Sequence, residues 1–375
     1  MSVQKRSAMS PDVTVVERVS GREELRRPQV RDCFFSGGLE GEEGHASLSL
    51  CDGQVTGGIH TKNRDIQLQA LPELHATRRR REAEHVRVLV TSSPGTSYQT
   101  LADDVLKRMT LDKSGLKYNP EGLNAGEFEN LTVEVGVYLD RAFIRRVEEK
   151  LGLNTTQQLT DLVALKWSGI SALMSNPWLV GWNMAFKVVH LEIWREIPTW
   201  YNDSADTGMG SRMDTICRNT VDMPFDYILL ETSGTASRRM GLSWVNTMCN
   251  PRWRCSVAKG SNLNHWIEAH EMGHSMGLPH EHSIPGCAKG VHGFMTTREA
   301  VFRECYTQVL NRTLREKRCL FEQNVDISNY SHLDQIEPLH RGQLLGFDGQ
   351  CRLVKGEGFE YLHIFRVQRN RFAKV

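Results

Sequence analysis

The stretch His270-Glu271-Met272-Gly273-His274-Ser275-Met276-Gly277-Leu278-Pro279-His280 carries the side chains best suited to chemistry. On a helix, positions i and i+4 lie one above the other on the same face, so His270 and His274 can turn two imidazoles toward a single metal ion. Glu271 is rotated by about 100° from His270, which directs its carboxylate past the metal toward a reacting water. Gly277 has no Cβ and permits a sharp reversal of the chain, after which His280 can add a third nitrogen. Three protein ligands leave the fourth tetrahedral position open, the arrangement of a catalytic rather than a structural zinc. With Glu271 as general base, the set is suited to hydrolysing a peptide bond.

The elements needed to position these groups are visible in the hydrophobic pattern. Val133, Val135 and Val137 alternate as a strand does. Apolar residues recur at three- and four-residue spacing over 141–151 and 156–175, with cap candidates in Asn154-Thr155-Thr156, and predict two helices. Strands are expected at 186–194, 225–232 and 241–246, all rich in β-branched and aromatic residues. Helices are expected at 262–276, ending at Gly277, and near 298–315, with a short one around 101–109. Strands alternating with long helices predict an α/β sandwich.

Composition narrows the class. The chain has 375 residues, enough for two or three domains at roughly 150 residues each. Lys+Arg number 46 against Asp+Glu 45, so no bulk positive field recommends nucleic acid as a partner. No apolar run reaches the length of a membrane-spanning helix, and the N-terminus lacks the apolar core of a signal peptide. The nine cysteines are an odd number, which leaves at least one without a partner in the chain if the others pair. Before residue 82 stands Arg78-Arg79-Arg80-Arg81. Such a run reads either as a solvated linker face or as the cleavage site of a proprotein convertase; its place between two compositionally different segments favours cleavage after Arg81.

The histidine motif with a following methionine resembles the metzincin metallopeptidases. Met295, in GFMTT, matches their Met-turn, whose methionine packs beneath the zinc ligands. Further segments resemble the reprolysin branch, and within it the ADAMTS proteases: MGLSWVNTMCNPRWRCSV, ECYTQVLNRTLREKRCL, DCFFSGGLEGEEGHASLSLCDG and GQLLGFDGQCRLVKGEG. The resemblance implies a zincin-like α/β catalytic domain, with a twisted mixed sheet, a long active-site helix and a smaller C-terminal subdomain. It divides the chain into a propeptide remnant (1–81), a linker (82–129), a reprolysin-type metallopeptidase domain (130–323) and a partial disintegrin-like region (324–375).

Position by position, the resemblance implies disulfides Cys217–Cys255, Cys249–Cys319, Cys287–Cys305 and Cys33–Cys51, with Cys351 left over. It also implies structural calcium at Glu134, Asp226, the backbone carbonyl of Cys319 and Glu322, oxygen ligands suited to a hard cation. Glu281 departs from the pattern, since reprolysins usually place Asp there and astacins Glu. The expected activity is a secreted zinc endopeptidase made as a zymogen, with GLSWVN as the edge strand that pairs with substrate and extracellular matrix proteins as substrates. A catalytically silent extracellular binding or decoy protein retaining the fold is the alternative. The missing signal peptide and early stop suggest a fragment or a reduced family member.

Overall fold

A computed structural model describes residues 4–5, 7–39, 44–61, 64–70, 88–94, 129–174, 182–236, 239–260, 263, 265–287, 293–296 and 302–322. All of them fall in the first of two units, Met1–Val325. Arg78 to Arg81, the helix expected around 101–109, most of the expected linker and the region 324–375 lie outside the described residues.

The N-terminal segment is built of strands: β1 (Gln4–Lys5), β2 (Met9–Val19), β3 (Arg22–Arg26), β4 (Phe34–Gly38), β5 (Gly44–Ser49), β6 (Thr56–Thr61), β7 (Arg64–Ala70) and β8 (Val88–Pro94). The remainder alternates: β9 (Glu129–Leu139), α1 (Arg141–Leu151), α2 (Thr156–Met174), β10 (Trp182–Trp194), α3 (Met209–Asn219), β11 (Tyr227–Glu231), β12 (Gly241–Ser243), β13 (Cys255–Ala258), α4 (Trp266–Met276) and α5 (Tyr306–Arg315).

Two sheets result. One is antiparallel, in the order β1-β4-β5-β6-β7-β8. The other is the expected mixed sheet, in the order β12-β13-β11-β9-β10-β2-β3, parallel through its middle and antiparallel at both ends. Its middle strands are covered on both faces: all of Leu131–Leu139 and all of Tyr227–Glu231 are buried, as parallel strands require. The hairpin β2–β3 belongs to this same sheet, because β2 runs parallel to β10. Part of the segment set apart by composition therefore shares hydrogen bonds with the half that bears the histidine motif.

Helix α2 explains how the sheets are joined. It is buried nearly all round, the mark of a helix enclosed by protein. It packs on β4 and β5 of the antiparallel sheet and on β10 and β2 of the mixed one, and Ser47 Oγ donates to the Leu165 carbonyl at 2.8 Å. Helix α1 is amphipathic. Asp140 caps it by accepting from the Phe143 N–H at 2.8 Å, and Gly152, at φ 70°, ends it in the left-handed conformation. Two expected helices start late, α4 at Trp266 and α5 at Tyr306. Cys305, just before α5, is bonded to Cys287, so the chain ahead of that helix is spent on a crosslink.

Candidate metal centre

Helix α4 stands behind the mixed sheet, in contact with β11, β12 and β13. Its C-terminus is set by Gly277, whose φ of 119° few side chains tolerate. The Gly277 N–H bonds back to the His274 carbonyl at 2.9 Å, and the Leu278 N–H to the Gly273 carbonyl at 2.9 Å. A Cβ at Gly277 would press into Thr313 of α5. The reversal brings His280 back beside the helix, where a 3-10 turn, Glu281–Ser283, begins.

Three imidazoles converge as a result. Ring centroids are 4.6 Å apart for His270–His274, 4.8 Å for His274–His280 and 5.4 Å for His270–His280. One nitrogen from each lies within 4.8 Å of the others. The far side of two rings is fixed by backbone: His270 Nδ1 donates to the Phe294 carbonyl and His274 Nδ1 to the Leu278 carbonyl, each at 2.7 Å. A carbonyl only accepts, so both Nδ1 atoms carry the proton and both Nε2 atoms keep a lone pair. His274 Nε2 is buried and makes no hydrogen bond. Burial, then the neighbouring His270 and His280, hold the His274 pKa well below its ordinary value, so the ring stays neutral. Three converging imidazoles fit a transition metal such as zinc.

Glu271 is buried on α4. Its carboxylate lies against Gly241 at the start of edge strand β12, where a Cβ would overlap it. The role of Gly241 escaped the sequence reading, which saw only a strand in GLSWVN. That strand is held to the helix that bears the histidines: the Asn246 N–H bonds to the His274 carbonyl at 2.8 Å and the Met248 N–H to the Ser275 carbonyl at 2.9 Å.

Met295 is fully buried under α4, and a Cβ on Gly273 would come within 2.6 Å of its Sδ. Glu281 organises the chain around it. Its backbone N–H reaches the Met295 carbonyl at 3.4 Å, and its carboxylate accepts from the Gly293 N–H at 3.2 Å and the Tyr306 hydroxyl at 3.0 Å. It also pairs with Arg303. The glutamate that departs from the reprolysin pattern is thus bonded on several sides.

The bonded cysteines are Cys33–Cys51, Cys217–Cys255, Cys249–Cys319 and Cys287–Cys305, with Cα separations of 5.1, 5.6, 5.8 and 5.3 Å. Away from the histidines, Glu134 and Asp226 are buried side by side, the Glu134 N–H donating to Asp226 Oδ2 at 2.9 Å. Burial pushes the Asp226 carboxyl up to about 7, and the charges of Glu134 and Glu322 add to the push. The Cys319 carbonyl accepts from the Glu322 N–H at 3.2 Å, so all four positions expected to hold calcium lie in one neighbourhood.

The profile of the metallo-peptidase family M12B, reprolysin-like, matches residues 174–281. That span takes in β10, β11, the edge strand, α4 and all three histidines. Over the segment that carries the histidines, the chain is similar to the ADAMTS-type reprolysin metallopeptidases. The worm protein "A disintegrin and metalloproteinase with thrombospondin motifs adt-1" (Caenorhabditis elegans) is 24% identical over 260 residues, covering 61% of this chain and 17% of its own length. Human "A disintegrin and metalloproteinase with thrombospondin motifs 19" is 29% identical over 127 residues, 31% of this chain and 10% of that one. The human protein numbered 14 in the same series is 23% identical across 96% of this chain and 30% of its own length. The chain therefore spans less than a third of each of these relatives. Among the described residues no helix is long and apolar enough to cross a membrane.

Proposed function

We propose that this chain is a secreted zinc-dependent endopeptidase that hydrolyses peptide bonds in extracellular proteins, those of the matrix included. The observation that carries the reading is the convergence of His270, His274 and His280 with Glu271 beside them, facing the edge strand β12. The three histidines would hold zinc, which supplies water activation at neutral pH and polarisation of the scissile carbonyl. Glu271 takes a proton from the attacking water and delivers it to the leaving amine. β12 aligns an extended substrate by offering unpaired backbone N–H and C=O groups. His270 and His274 keep their lone pairs aimed into the site because backbone carbonyls hold their other nitrogens. Four disulfides support an oxidising, extracellular compartment. Residues 1–81 act as a propeptide, cut from the rest of the chain by a proprotein convertase after Arg81.

Calcium at Glu134, Asp226, Glu322 and the Cys319 carbonyl is part of the same proposal. Its charge would favour the ionised Asp226 carboxyl against the burial, and the lesser repulsion from Glu134 and Glu322, that raise its pKa. Added calcium should raise the Tm of the wild type and leave that of Asp226→Asn unmoved; equal shifts in both would reject this site.

The activity is tested by incubating the secreted chain with a mixture of denatured proteins and extended peptides, with and without a zinc chelator. Internal cleavage that the chelator stops and zinc restores is the expected result. A folded, zinc-loaded chain that cleaves nothing would make this a silent binding protein.

A further inference from the structure

A second cluster of three histidines lies elsewhere in the described residues, and the activity above makes no use of it. His45 on β5 and His60 on β6 face each other directly across the antiparallel ladder. His265, the residue just before α4, meets both: ring centroids are 5.1 Å apart for His45–His60, 4.9 Å for His45–His265 and 5.0 Å for His60–His265. One nitrogen from each lies within 4.8 Å of the others, as in the candidate catalytic triad. All three residues are buried, with exposures of 5%, 1% and 1%.

We propose that His45, His60 and His265 form a second transition-metal site, for zinc or a divalent ion of similar ligand preference, which ties the N-terminal sheet to the start of the active-site helix.

The arrangement has the parts a metal site needs. His60 Nδ1 bonds to Asp65 Oδ1 at 3.0 Å, and Asp65 is its direct cross-strand neighbour on β7. A carboxylate on the outer nitrogen orients the ring and raises its basicity as a ligand. It leaves His60 Nε2 facing inward, buried and without a hydrogen-bond partner, and His265 Nδ1 is likewise unpartnered. His45 Nε2 and His265 Nε2 approach to 2.7 Å, where two neutral rings can share only one proton. Room is kept for the rings by glycines: a Cβ on Gly58 would come within 2.7 Å of His60 Nε2, and one on Gly169 would overlap the His265 ring.

Hydrolysis is not what this site suits. The carboxylate at the cluster, Asp65, is bonded to the outer nitrogen of His60, and Glu268, three residues beyond His265, is taken by Lys166 Nζ at 2.5 Å. A crosslink is a better use for it. No disulfide among the described residues joins the N-terminal segment to the rest, since Cys33–Cys51 closes within that segment. If the chain is cut after Arg81, as the proposed maturation requires, a metal here would keep the released segment on the catalytic half.

The test is to count metal in the intact chain, in His274→Ala, in His45→Ala/His60→Ala, and in the combination of all three substitutions. Zinc is the probe, followed by Co2+ for its ligand-sensitive absorption. Two zinc ions per wild-type chain are expected, one in His274→Ala, one in His45→Ala/His60→Ala and none in the combination. His274→Ala should also show the visible Co2+ bands of a tetrahedral nitrogen site. If the double variant fails to fold, the Co2+ titration of His274→Ala decides alone. A folded His274→Ala chain that takes up no metal overturns the proposal, leaving a hydrogen-bonded histidine cluster. So does metal that stays bound in the combination, where His45, His60 and His274 are all replaced. Because His274→Ala removes the proposed catalytic centre, failure there is distinct from failure of the endopeptidase reading.

Discussion

His270, His274 and His280 come from one short stretch of chain, whereas His45 and His265 meet across 220 residues. The end states are alike, with ring centroids 4.6 to 5.4 Å apart in one triad and 4.9 to 5.1 Å in the other. What differs is the surroundings. The first triad has Glu271 beside it and a strand edge in front, while the second has Asp65 behind it and protein on every side. Convergent imidazoles could hold a metal in either place; a poised carboxylate and access for substrate would make the first one catalytic.

The contrast can be broken at the glycines that make space in each place. Gly241→Ala puts a methyl group where the Glu271 carboxylate lies. Displacing a general base by about 1 Å can cost on the order of 100-fold, so kcat should fall by that much while zinc content stays at the wild-type level. Unchanged kcat would mean that Glu271 does not act from this position. Gly169→Ala probes the second triad. In an unencumbered helix Ala is better than Gly by about 1 kcal/mol, yet here the methyl group meets the His265 ring. Denaturant unfolding should show a loss of about 1–3 kcal/mol; a gain would show that the ring is not held there.

The smallest expected effect concerns pH, because the second triad depends on the N-terminal segment staying in place. Burial alone would raise Glu17, but hydrogen bonds from Arg195 and Arg26 outweigh it and hold its pKa below the ordinary 4.5. Glu192 is likewise lowered, burial being outweighed by hydrogen bonds from His190, Arg18 and Trp194. Both contacts, Glu17–Arg195 and Arg18–Glu192, fasten β2 to β10 and the chain just after it. A folded pKa below the unfolded one means that the stabilisation is complete above about pH 4.5 and is lost as the pH falls through the lowered values. Amide exchange in Met9–Val19 should therefore accelerate below that pH ahead of exchange in β9. Protection that fades equally in both strands would contradict the assignment.

Much of the histidine-bearing half was legible in the sequence for a physical reason. Its ligands lie on one turn of chemistry, and α1, α2 and the central strands have patterns set by which faces are buried. Helix starts were less legible: apolar spacing continues upstream of Trp266 and Tyr306, where the chain is occupied by His265 and by the Cys287–Cys305 bond. The N-terminal strands were missed because their exposed edge is rich in Arg and Glu at Arg22–Arg26, which hides the alternation that marks a strand. His45, His60 and His265 gave no signal at all. Nothing local marks a histidine whose partners arrive from another sheet.

The account rests most directly on Glu271, and the measurement that tests it is zinc content and peptide turnover determined together on folded Glu271→Gln. The account predicts that turnover drops about 10²–10⁴-fold while the metal of His270, His274 and His280 is retained. Turnover close to wild type, or loss of that metal along with activity, would contradict it.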